Sequence, residues 1–519
     1  MITRTLSGTI QGVDVETVEI EVNAYDRDTP EPLQEPHFNL IGLPDAAVRE
    51  SRDRVRTALS MNGVPIPTGV TTVNLAPASL RKTGGLYDLA IALCLCAFRN
   101  QLPRRVLEET MVVGELALNG EIRPIRGALP LAMHAKSLGL KQMVLPLENA
   151  REAAVSGMKV YGAGSLSQAR KLLAALEEAT PTTVDVDSLF RNALQGHLDF
   201  RDVKGQDSAK RALLIAAAGC HNVLMVGQPG VGKSLIANRI PGIMPPMTLR
   251  ESLEVTRIYS IAGLLSQGSG LVVHRPFRSP HHTVSDAGLM GGGSGIPRPG
   301  EVTLAHRGVL FLDELPEFRR NTLEALRQPM ENGCVTLARS SGSYTFPCRF
   351  MMVGAMNPCP CGYFGSQEHR CRCTPLQVAA YRGRLSGPLL DRFDLHLEVP
   401  PLPRELLLSP HQGPSSAELR EIVLAARDRQ FHRFQDTGIL DNAAIKGADL
   451  DRFCRLDERG KLFMRQALEA KHLSARSYDR ILRVARTCAD LNGHEEITDE
   501  ELAEASQYRT MDQKPEVPW

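Results

Sequence analysis

The chain has 519 residues, of which 43% are hydrophobic and 23% are charged, a globular composition too long for a single core. Its 60 Lys and Arg residues balance 59 Asp and Glu residues, so the net charge of +1 neither supports nor excludes a nucleic-acid partner. The first residues alternate polar and apolar types without the apolar core of a signal peptide, and no run of about eighteen apolar residues follows. We therefore expect a cytoplasmic protein without a membrane span.

The front region, residues 1–165, mixes short β-rich runs such as "VETVEIEV" with helical patterns such as "DLAIALCLCAF". Gly and Pro residues separate these runs, which predicts an α/β or α+β domain with tight turns. A helical stretch and the polar segment "EEATPTTVDVDS" follow, so residues 166–200 are predicted to form a linker.

The segment "HNVLMVGQPGVGKSLIANRI" carries the strongest signal in the chain. An apolar strand leads into a glycine-rich loop that matches G-x-x-x-x-G-K-[ST] and opens a helical pattern. Such a loop wraps backbone N–H groups around phosphate oxygens, while its Lys neutralises the phosphates and its Ser binds Mg²⁺. We therefore predict an ATP and Mg²⁺ site formed by Gly227, Gln228, Pro229, Gly230, Val231, Gly232, Lys233 and Ser234.

A second apolar strand, "GVLFLDEL", ends in Asp313 and Glu314, about eighty residues after the loop. Asp313 suits a hold on Mg²⁺, directly or through water. Glu314 is predicted to activate the attacking water, the base that ATP hydrolysis needs.

Apolar strands alternate with helical patterns through residues 201–400, which predicts an α/β domain with a mostly parallel sheet. The Pro-rich segment 401–416 is a predicted connector, and residues 417–512 turn helical. Ser415 with Glu418 forms a capping-box pattern for the first of these helices, and Gly493 predicts a helix end. Residues 513–519 are predicted to be a tail.

Four of the chain's 11 cysteines lie in the two C-x-C pairs of "NPCPCGYFGSQEHRCRC", within residues 359–373. Four thiolates suit tetrahedral Zn²⁺, although C-x-C is tighter than the spacing usual in zinc fingers. A disulfide or redox pair and a cluster without a ligand remain open, and His369 could replace one thiolate. The predicted structural zinc ligands are Cys359, Cys361, Cys371 and Cys373.

From Phe200 onward the chain resembles an AAA+ ATPase of the magnesium-chelatase-related, helix-2-insert group, and over its full length it resembles the ComM/YifB family. The resemblance rests on the glycine-rich loop, or P-loop, and on "DFRDVKGQDSAKRAL", "RPFRSPHHTVSDAGLMGGG", "PRPGEVTLAHRGVLFLDELPEF", "MVGAMNPCPCG" and "LSGPLLDRFDLHLEV". It implies a P-loop sheet core followed by a C-terminal helical lid.

The resemblance also implies roles for three residues outside the P-loop. Asn357 resembles sensor 1, which orients the lytic water, and Arg392 resembles an arginine finger that reaches a neighbouring subunit's nucleotide. Arg476 resembles sensor 2 in the lid, with Arg480 as the alternative. An arginine finger acting in a neighbour implies self-association into a ring, most often a hexamer.

Each of these three residues also has a plainer interpretation. Asn357 is a turn residue by position, and Arg476 is a solvated charge on a helix. Arg392 has Asp391 and Asp394 beside it as ion-pair partners. The three residues follow the P-loop in the same order as the family motifs they resemble, and this order favours the functional roles.

Two further segments invite functional interpretation. Adjacent His281 and His282 diverge on a helix or strand and do not easily share a metal, so we expect the family's inserted, pore-facing segment there. "CVTLARSSGSYTFPCRF" predicts a hairpin, and it resembles the pore hairpin that DNA motors use. Arg339 and Tyr344 are then candidates for phosphate and base contacts, with an ordinary edge hairpin as the alternative.

The front region resembles a Lon-protease-like domain through "SLRKTGGLYDLAIALCLC" and "GELALNGEIRPIRGALPLAMHAKSLGL". The resemblance places Leu86 at the catalytic serine position and Leu129 at the lysine position. Because leucine can neither attack nor accept a proton, we expect a non-proteolytic domain. Ser79 and Lys82 are the only nearby replacements, and they lie off the pattern.

Three functions follow from these observations. The first is a DNA motor: an ATP-driven helicase on single-stranded or branched DNA that promotes branch migration in transformation or repair. The second is a motor subunit of a magnesium chelatase, which the front domain and the four cysteines argue against by resemblance, and a regulatory ATPase is the residual case. The third, an ATP-dependent protease, is disfavoured by Leu86 and Leu129.

Overall fold

The computed structural model describes residues 2–27, 37–193, 198–266, 268, 270–293, 297–339, 342–403, 406, 413–471, 473–509 and 511. The predicted tail at 513–519 lies outside these residues, as do parts of the predicted linker and connector. The chain divides into two compact units. One comprises Met1–Asn192 with Ser252–Val272, and the other Ala193–Glu251 with Val273–Trp519. The domain boundaries inferred from the sequence stay a prediction.

The first unit is built on a seven-stranded mixed sheet. Its first strand, Ile2–Gln11, agrees with the alternation of the N-terminal sequence and pairs antiparallel with Asp14–Ala24 and parallel with Thr110–Val112. In spatial order the strands are His37–Ile41, Val70–Ala76, Asp14–Ala24, Ile2–Gln11, Thr110–Val112, Gln142–Pro146 and Lys159–Ala163.

Helices cover this sheet, and one of them, Asp88–Phe98, is apolar after its first residue and buried at every residue except its last. The other helices are Ala46–Met61, Arg104–Glu108, Ala128–Ser137, Ala150–Ala154, Leu166–Ala174 and Val186–Ala193, with a short 3₁₀ turn at Leu147–Asn149 and a two-stranded ribbon of Glu115–Leu116 and Ile122–Arg123.

Residues 252–272 come from the middle of the chain, between two segments of the second unit, yet they pack with the first unit. They include most of the helix Leu249–Ala262. The Gly127 N–H donates to the Ser260 carbonyl oxygen at 3.3 Å, and the Ser260 hydroxyl donates to the buried Glu152 carboxylate. This excursion of the chain was not anticipated from the sequence, because tertiary packing alone decides it.

The second unit is built on a five-stranded sheet whose neighbouring strands all run parallel, as predicted. Apolar residues fill its three central strands completely, because helices cover both faces of such a sheet. We name four strands: the P-loop strand (Val223–Gly227), the Asp-Glu strand (Val309–Leu312), the sensor strand (Met351–Met356) and the arginine strand (Leu395–Val399). In space the order is Phe277–Arg278, the Asp-Glu strand, the sensor strand, the P-loop strand and the arginine strand.

The connections of this unit include short helices and an antiparallel hairpin. The hairpin pairs Cys334–Arg339 with Gly342–Pro347, which confirms the two predicted strands, and a smaller ribbon pairs Gly291–Gly292 with Arg298–Pro299. The helices are Asp207–Gly219, Lys233–Ala237, Ile240–Ile243, Asp286–Met290, Glu301–Leu304, Arg320–Ala325, Arg327–Asn332, Pro375–Arg382 and Gly387–Leu390, with 3₁₀ turns at Phe200–Asp202 and Leu315–Glu317.

The C-terminal part of the second unit is helical, as expected. Both predicted helix signals are confirmed: Ser415 and Glu418 form a reciprocal capping box, and Gly493 ends a helix with a left-handed φ of 82°. The helices are Ser416–Arg433, Ala448–Phe453, Glu458–Lys471, Ala475–Asn492 and Asp499–Gln507, with a 3₁₀ turn at Asn442–Ala444.

Candidate functional site

The candidate nucleotide site lies at the carboxyl edge of the five-stranded sheet. The P-loop strand pairs with the sensor strand from Val223 opposite Val353 to Val226 opposite Met356. The Asp-Glu strand flanks the sensor strand in the same direction. Since the carboxyl ends of parallel strands meet at one edge, the P-loop, Asp313 and Asn357 are brought together.

Lys233 forms the centre of this site. Its Nζ donates to the carbonyl oxygens of Gly227 at 2.5 Å and Gln228 at 3.0 Å, and to Asn357 Oδ1 at 3.0 Å. Burial lowers the pKa of Lys233, and the charges of Asp313 and Glu314 act in the opposite direction. An ammonium group has three donors, so all three are held by oxygens that a phosphate oxygen can replace.

The loop itself fits a bound phosphate chain. Gly230 and Gly232 have φ values of 81° and 92°, a conformation that glycine adopts without strain and other residues avoid. A Cβ atom at either position would meet nothing within 4 Å, so the loop faces open space there. Successive N–H groups in such a turn form an anion-binding concavity at the start of helix Lys233–Ala237.

The acidic pair lies directly beside the loop. The Ser234 hydroxyl donates to Asp313 Oδ2 at 2.6 Å, so the two predicted Mg²⁺ contacts are neighbours. Hydroxyl and carboxylate oxygens are the ligands that Mg²⁺ prefers. The Glu314 N–H donates to the other Asp313 oxygen at 2.9 Å, and Glu314 itself has a left-handed φ of 50° with its side chain exposed.

His282 contacts Glu314, a relationship that sequence reasoning missed. Its Nδ1 lies 3.4 Å from Glu314 Oε2, whereas His281 Nδ1 lies 2.9 Å from the Thr283 hydroxyl. The two imidazole rings do not diverge as expected, because their centroids lie 4.0 Å apart. The only available signal was that His282 follows a short strand of the same sheet, Phe277–Arg278, beside the Asp-Glu strand. The structure thus places His282 at the nucleotide site, where the sequence suggested a pore-facing segment.

Arg392 lies at the opposite, amino edge of the sheet. It precedes the arginine strand, whose first residue, Leu395, pairs with the first residue of the P-loop strand, Val223. One Nη atom of Arg392 donates to Glu331 at 2.8 Å, while its buried Nε has no partner in the described part of the chain. Five residues at about 3.3 Å each separate the two edges by roughly 15 Å. Arg392 therefore cannot reach the P-loop of its own chain.

Arg476 and Arg480 are on the same helix but in different environments. Arg476 is 62% exposed and donates to Asp391 at 3.1 Å. Arg480 is 8% exposed and donates to the buried Asp394 at 2.9 Å. Burial raises the pKa of Asp394, but Arg480 and His221 more than offset it, so the pKa stays well below the usual range. Arg480 is thus held in the core, and Arg476 is the accessible arginine of the two.

These arginines border a broad cleft of about 1660 Å³ at the amino edge of the sheet. Its floor includes residues at the amino ends of four strands, and residues of the C-terminal helices form the wall above it. The cleft is lined by Asn222, Gly308, Met351, Asp394, Arg392 and Arg476, among other residues.

The predicted pore hairpin presents only one of its two candidate side chains. Arg339 is exposed at the end of its strand. Tyr344, in the facing strand, is only 6% exposed, so its ring is not free to stack on a base. The prediction for Tyr344 is therefore wrong in this structure, because its side chain faces the inner side of the hairpin.

The four cysteines of the C-x-C pairs converge, and their Sγ atoms all lie within 4.8 Å of one another. The Sγ separations of Cys359–Cys361, Cys361–Cys371 and Cys359–Cys371 are 3.3, 3.5 and 3.7 Å. Zn–S bonds of about 2.3 Å in a tetrahedron require S–S separations of roughly 3.8 Å, whereas a disulfide needs about 2.0 Å. All four thiols are free, so the geometry fits a bound metal better than a disulfide.

The environment of Cys361 also favours a thiolate. Hydrogen bonds from the backbone N–H groups of Arg372 and Tyr363 lower the pKa of Cys361 to about 6. Because the thiolate is the form that binds metals, this residue is prepared as a ligand. The His369 ring packs against that of Tyr363, tilted by 58° with a centroid distance of 4.9 Å, and is not part of the sulfur cluster.

The first unit carries no catalytic Ser-Lys pair at the positions inferred from the resemblance to Lon-type proteases. Leu129 is fully buried and Leu86 packs against an apolar cluster. Lys82 is also fully buried, with its Nζ donating to the Pro77 carbonyl oxygen, while Ser79 is exposed. No hydrogen bond joins Ser79 to Lys82 in the described structure, and the expectation of a non-proteolytic domain stays a prediction.

Three family models match the chain. Residues 199–407 match "Magnesium chelatase, subunit ChlI", residues 413–509 match the C-terminal part of that subunit, and residues 32–149 match "Subunit ChlI of Mg-chelatase". The front region also matches a chelatase-named family. Contrary to the expectation from the sequence, this region therefore does not distinguish the chain from chelatase subunits. No described helix has the length and apolar character to cross a membrane.

Relatives match over nearly the whole length. The competence protein ComM of Haemophilus influenzae is 42% identical over 96% of both chains, and YifB of Escherichia coli is 44% identical over 92% of both. The 67 kDa magnesium-chelatase subunit of Chlorobaculum parvum is 24% identical over 49% of this chain and 37% of its own. This chain belongs to the ComM/YifB family of magnesium-chelatase-related AAA+ ATPases.

Proposed function

We propose that this protein is a ring-forming motor that hydrolyses ATP and acts on DNA, promoting branch migration of recombination intermediates in the cytoplasm. The observation that carries the proposal is the division of catalytic groups between two edges of one sheet. Lys233, Ser234, Asp313, Glu314 and Asn357 gather at the carboxyl edge, and Arg392 lies roughly 15 Å away at the amino edge.

A ring joins these two half-sites. When copies of the chain are arranged head to tail, the amino edge of one subunit faces the carboxyl edge of the next, and such a contact closes into a ring. Arg392 and the exposed Arg476 then complete the neighbour's site, where arginines stabilise charge on the phosphates. We propose a hexamer for this assembly.

Within the site, each side chain has a distinct task. ATP with Mg²⁺ supplies the bond to be broken and the positive charge that neutralises the phosphates. Lys233 binds the phosphate oxygens, Ser234 and Asp313 hold the metal, and Asn357 orients the water. Glu314 accepts the proton of that water at a carboxylate oxygen, and His282 orients the carboxylate.

The DNA partner is supported by the name of the Haemophilus relative, a competence protein, and by the hairpin with exposed Arg339. The alternative, a magnesium-chelatase motor subunit, is supported by the family matches at residues 32–149 and 199–407.

One experiment separates the DNA motor from the chelatase subunit. We expect ATP hydrolysis to rise with forked or four-way DNA and such DNA to be remodelled. A rate of ATP hydrolysis that no form of DNA changes would reject the proposal of a DNA motor.

We also propose that the four cysteines bind a structural Zn²⁺. The purified protein should contain about one zinc per chain, and replacing Cys371 and Cys373 together by serine should remove it. Absence of zinc from protein purified without chelators would reject this site.

A further inference from the structure

The cysteine loop, residues 359–373, is packed against the P-loop. Its first turn closes with the Gly362 N–H donating to the Cys359 carbonyl oxygen at 2.9 Å. Gly362 is buried in this turn. A Cβ atom at Gly362 would lie 2.5 Å from Pro229 Cδ and 2.6 Å from Pro229 Cγ. The turn that carries two of the four thiols therefore touches the middle of the phosphate-binding loop.

The same loop is tied to the sensor side of the site. Cys359 follows Asn357 by two residues, and the carbonyl oxygen of the intervening Pro358 accepts from Arg382 Nε at 3.2 Å. The Arg382 guanidinium also stacks over the Phe364 ring at 5.3 Å. Helix Pro375–Arg382, which begins just after Cys373, thus holds both the start and the middle of the loop.

We propose that metal binding by the cysteine loop presses the Cys359–Gly362 turn against Pro229 and thereby sets the nucleotide affinity of the P-loop. This inference rests on the proposed nucleotide and zinc sites. Without the metal, no covalent or coordination bond joins the two C-x-C pairs, and only hydrogen bonds such as that from the Arg372 N–H to Cys361 link them. The turn then loses the constraint that keeps Gly362 in contact with Pro229, and the loop backbone loses its support.

A metal site that only stabilises the local fold would leave the nucleotide affinity unchanged once the protein is folded. A metal site that supports the P-loop changes the nucleotide affinity even when the ring and the fold persist. Nucleotide affinity therefore tests whether the metal acts on the P-loop, and metal content tests whether the four cysteines bind a metal.

Two glycines of the loop provide a matched pair of variants. Gly362 and Gly365 have similar left-handed φ values of 84° and 79°, so alanine strains the backbone similarly at both. A Cβ at Gly365 meets nothing within 4 Å, whereas one at Gly362 collides with Pro229. Gly362→Ala should weaken binding of a fluorescent ADP analogue on the order of tenfold, while Gly365→Ala leaves it unchanged. Both variants should retain zinc.

The second arm removes the metal from the wild-type protein. After zinc is stripped with a chelator and Mg²⁺ is restored, we expect the affinity for the ADP analogue to fall on the order of tenfold and to recover when zinc is added back. Circular dichroism and thermal unfolding check that the stripped protein and both glycine variants remain folded. The Cys371→Ser, Cys373→Ser double variant should match the stripped protein.

The possible outcomes separate the proposals from one another. Unchanged affinity in both the zinc-stripped protein and Gly362→Ala overturns the coupling while leaving the ATP site intact. Equal weakening in Gly362→Ala and Gly365→Ala also overturns it, because backbone strain then explains the effect. Wild-type protein that binds zinc but no nucleotide would instead reject the proposed ATP site.

Discussion

The two edges of the five-stranded sheet hold their charged groups in different ways. At the carboxyl edge, Lys233 donates to Asn357 and the Ser234 hydroxyl donates to Asp313, in positions open to a ligand. At the amino edge, Asp394 and Arg480 form a buried pair, while Arg392 and Arg476 point into a cleft. One edge is a candidate binding site, and the other holds two arginines beside a buried ion pair. This division is what the proposed ring requires, in which each chain contributes halves of two different sites.

The largest effect should come from the amino edge. Arg392→Ala is expected to lower kcat of ATP hydrolysis by about 10³-fold or more, as removal of an arginine finger does. Nucleotide affinity of the isolated subunit should change little, because Arg392 lies about 15 Å from its own P-loop. Steady-state hydrolysis and binding of an ADP analogue measure the two quantities.

A mixing experiment provides the control for Arg392. Arg392→Ala and Glu314→Gln subunits, each inactive alone, should regain part of the activity when co-assembled, because some interfaces then combine an intact arginine with an intact Glu314. Normal turnover in the Arg392→Ala homo-oligomer would contradict the shared site.

The next largest effect should come from the carboxyl edge. Glu314→Gln removes the proposed base and should lower kcat by about 10²- to 10⁴-fold while ATP still binds. Glu317→Gln is the matched control, because Glu317 lies three residues on and pairs with exposed Arg384 at 2.9 Å. If Glu314→Gln hydrolyses ATP normally, the base is another group.

Stability distinguishes the two lid arginines. Arg480→Ala leaves Asp394 buried without its ion-pair partner, so the free energy of unfolding should fall by about 3–5 kcal/mol. Arg476→Ala removes an exposed ion pair and should cost less than about 1 kcal/mol. Chemical denaturation of both variants measures the difference, and equal losses would contradict the assignment of Arg480 to the core.

The buried pair also has a predicted pH dependence. The pKa of Asp394 is lowered in the folded protein, so its stabilising contribution is present above the ordinary aspartate pKa of about 3.9. The contribution is lost as the pH falls below that value towards the folded pKa. The stability gap between wild type and Arg480→Ala should therefore narrow in acid.

The smallest effect is expected at His282. His282→Gln should lower kcat by about threefold to tenfold without changing nucleotide affinity, because the imidazole only orients Glu314. His281→Gln serves as the control, since His281 contacts Thr283 instead. Equal effects of the two substitutions would show that the segment, rather than the contact with Glu314, matters.

Much of the nucleotide site was predictable because its pattern is local. The P-loop requires glycines, a lysine and a serine at fixed spacing after a strand, and the sequence carries all of them between Gly227 and Ser234. The capping box at Ser415 and the end of a helix at Gly493 were predictable for the same reason. In each case neighbouring residues alone decide the backbone conformation.

The sequence by itself determined the parallel sheet, the P-loop, the convergent cysteines and the membership of a known family. Only the tertiary structure decided that Arg480 is buried and Arg476 exposed, that Tyr344 faces inward, and that His282 meets Glu314. The tertiary structure also decided two packing contacts: Gly362 lies against Pro229, and residues 252–272 pack with the first unit. These contacts join residues far apart in the chain, so their existence depends on how elements pack rather than on local spacing.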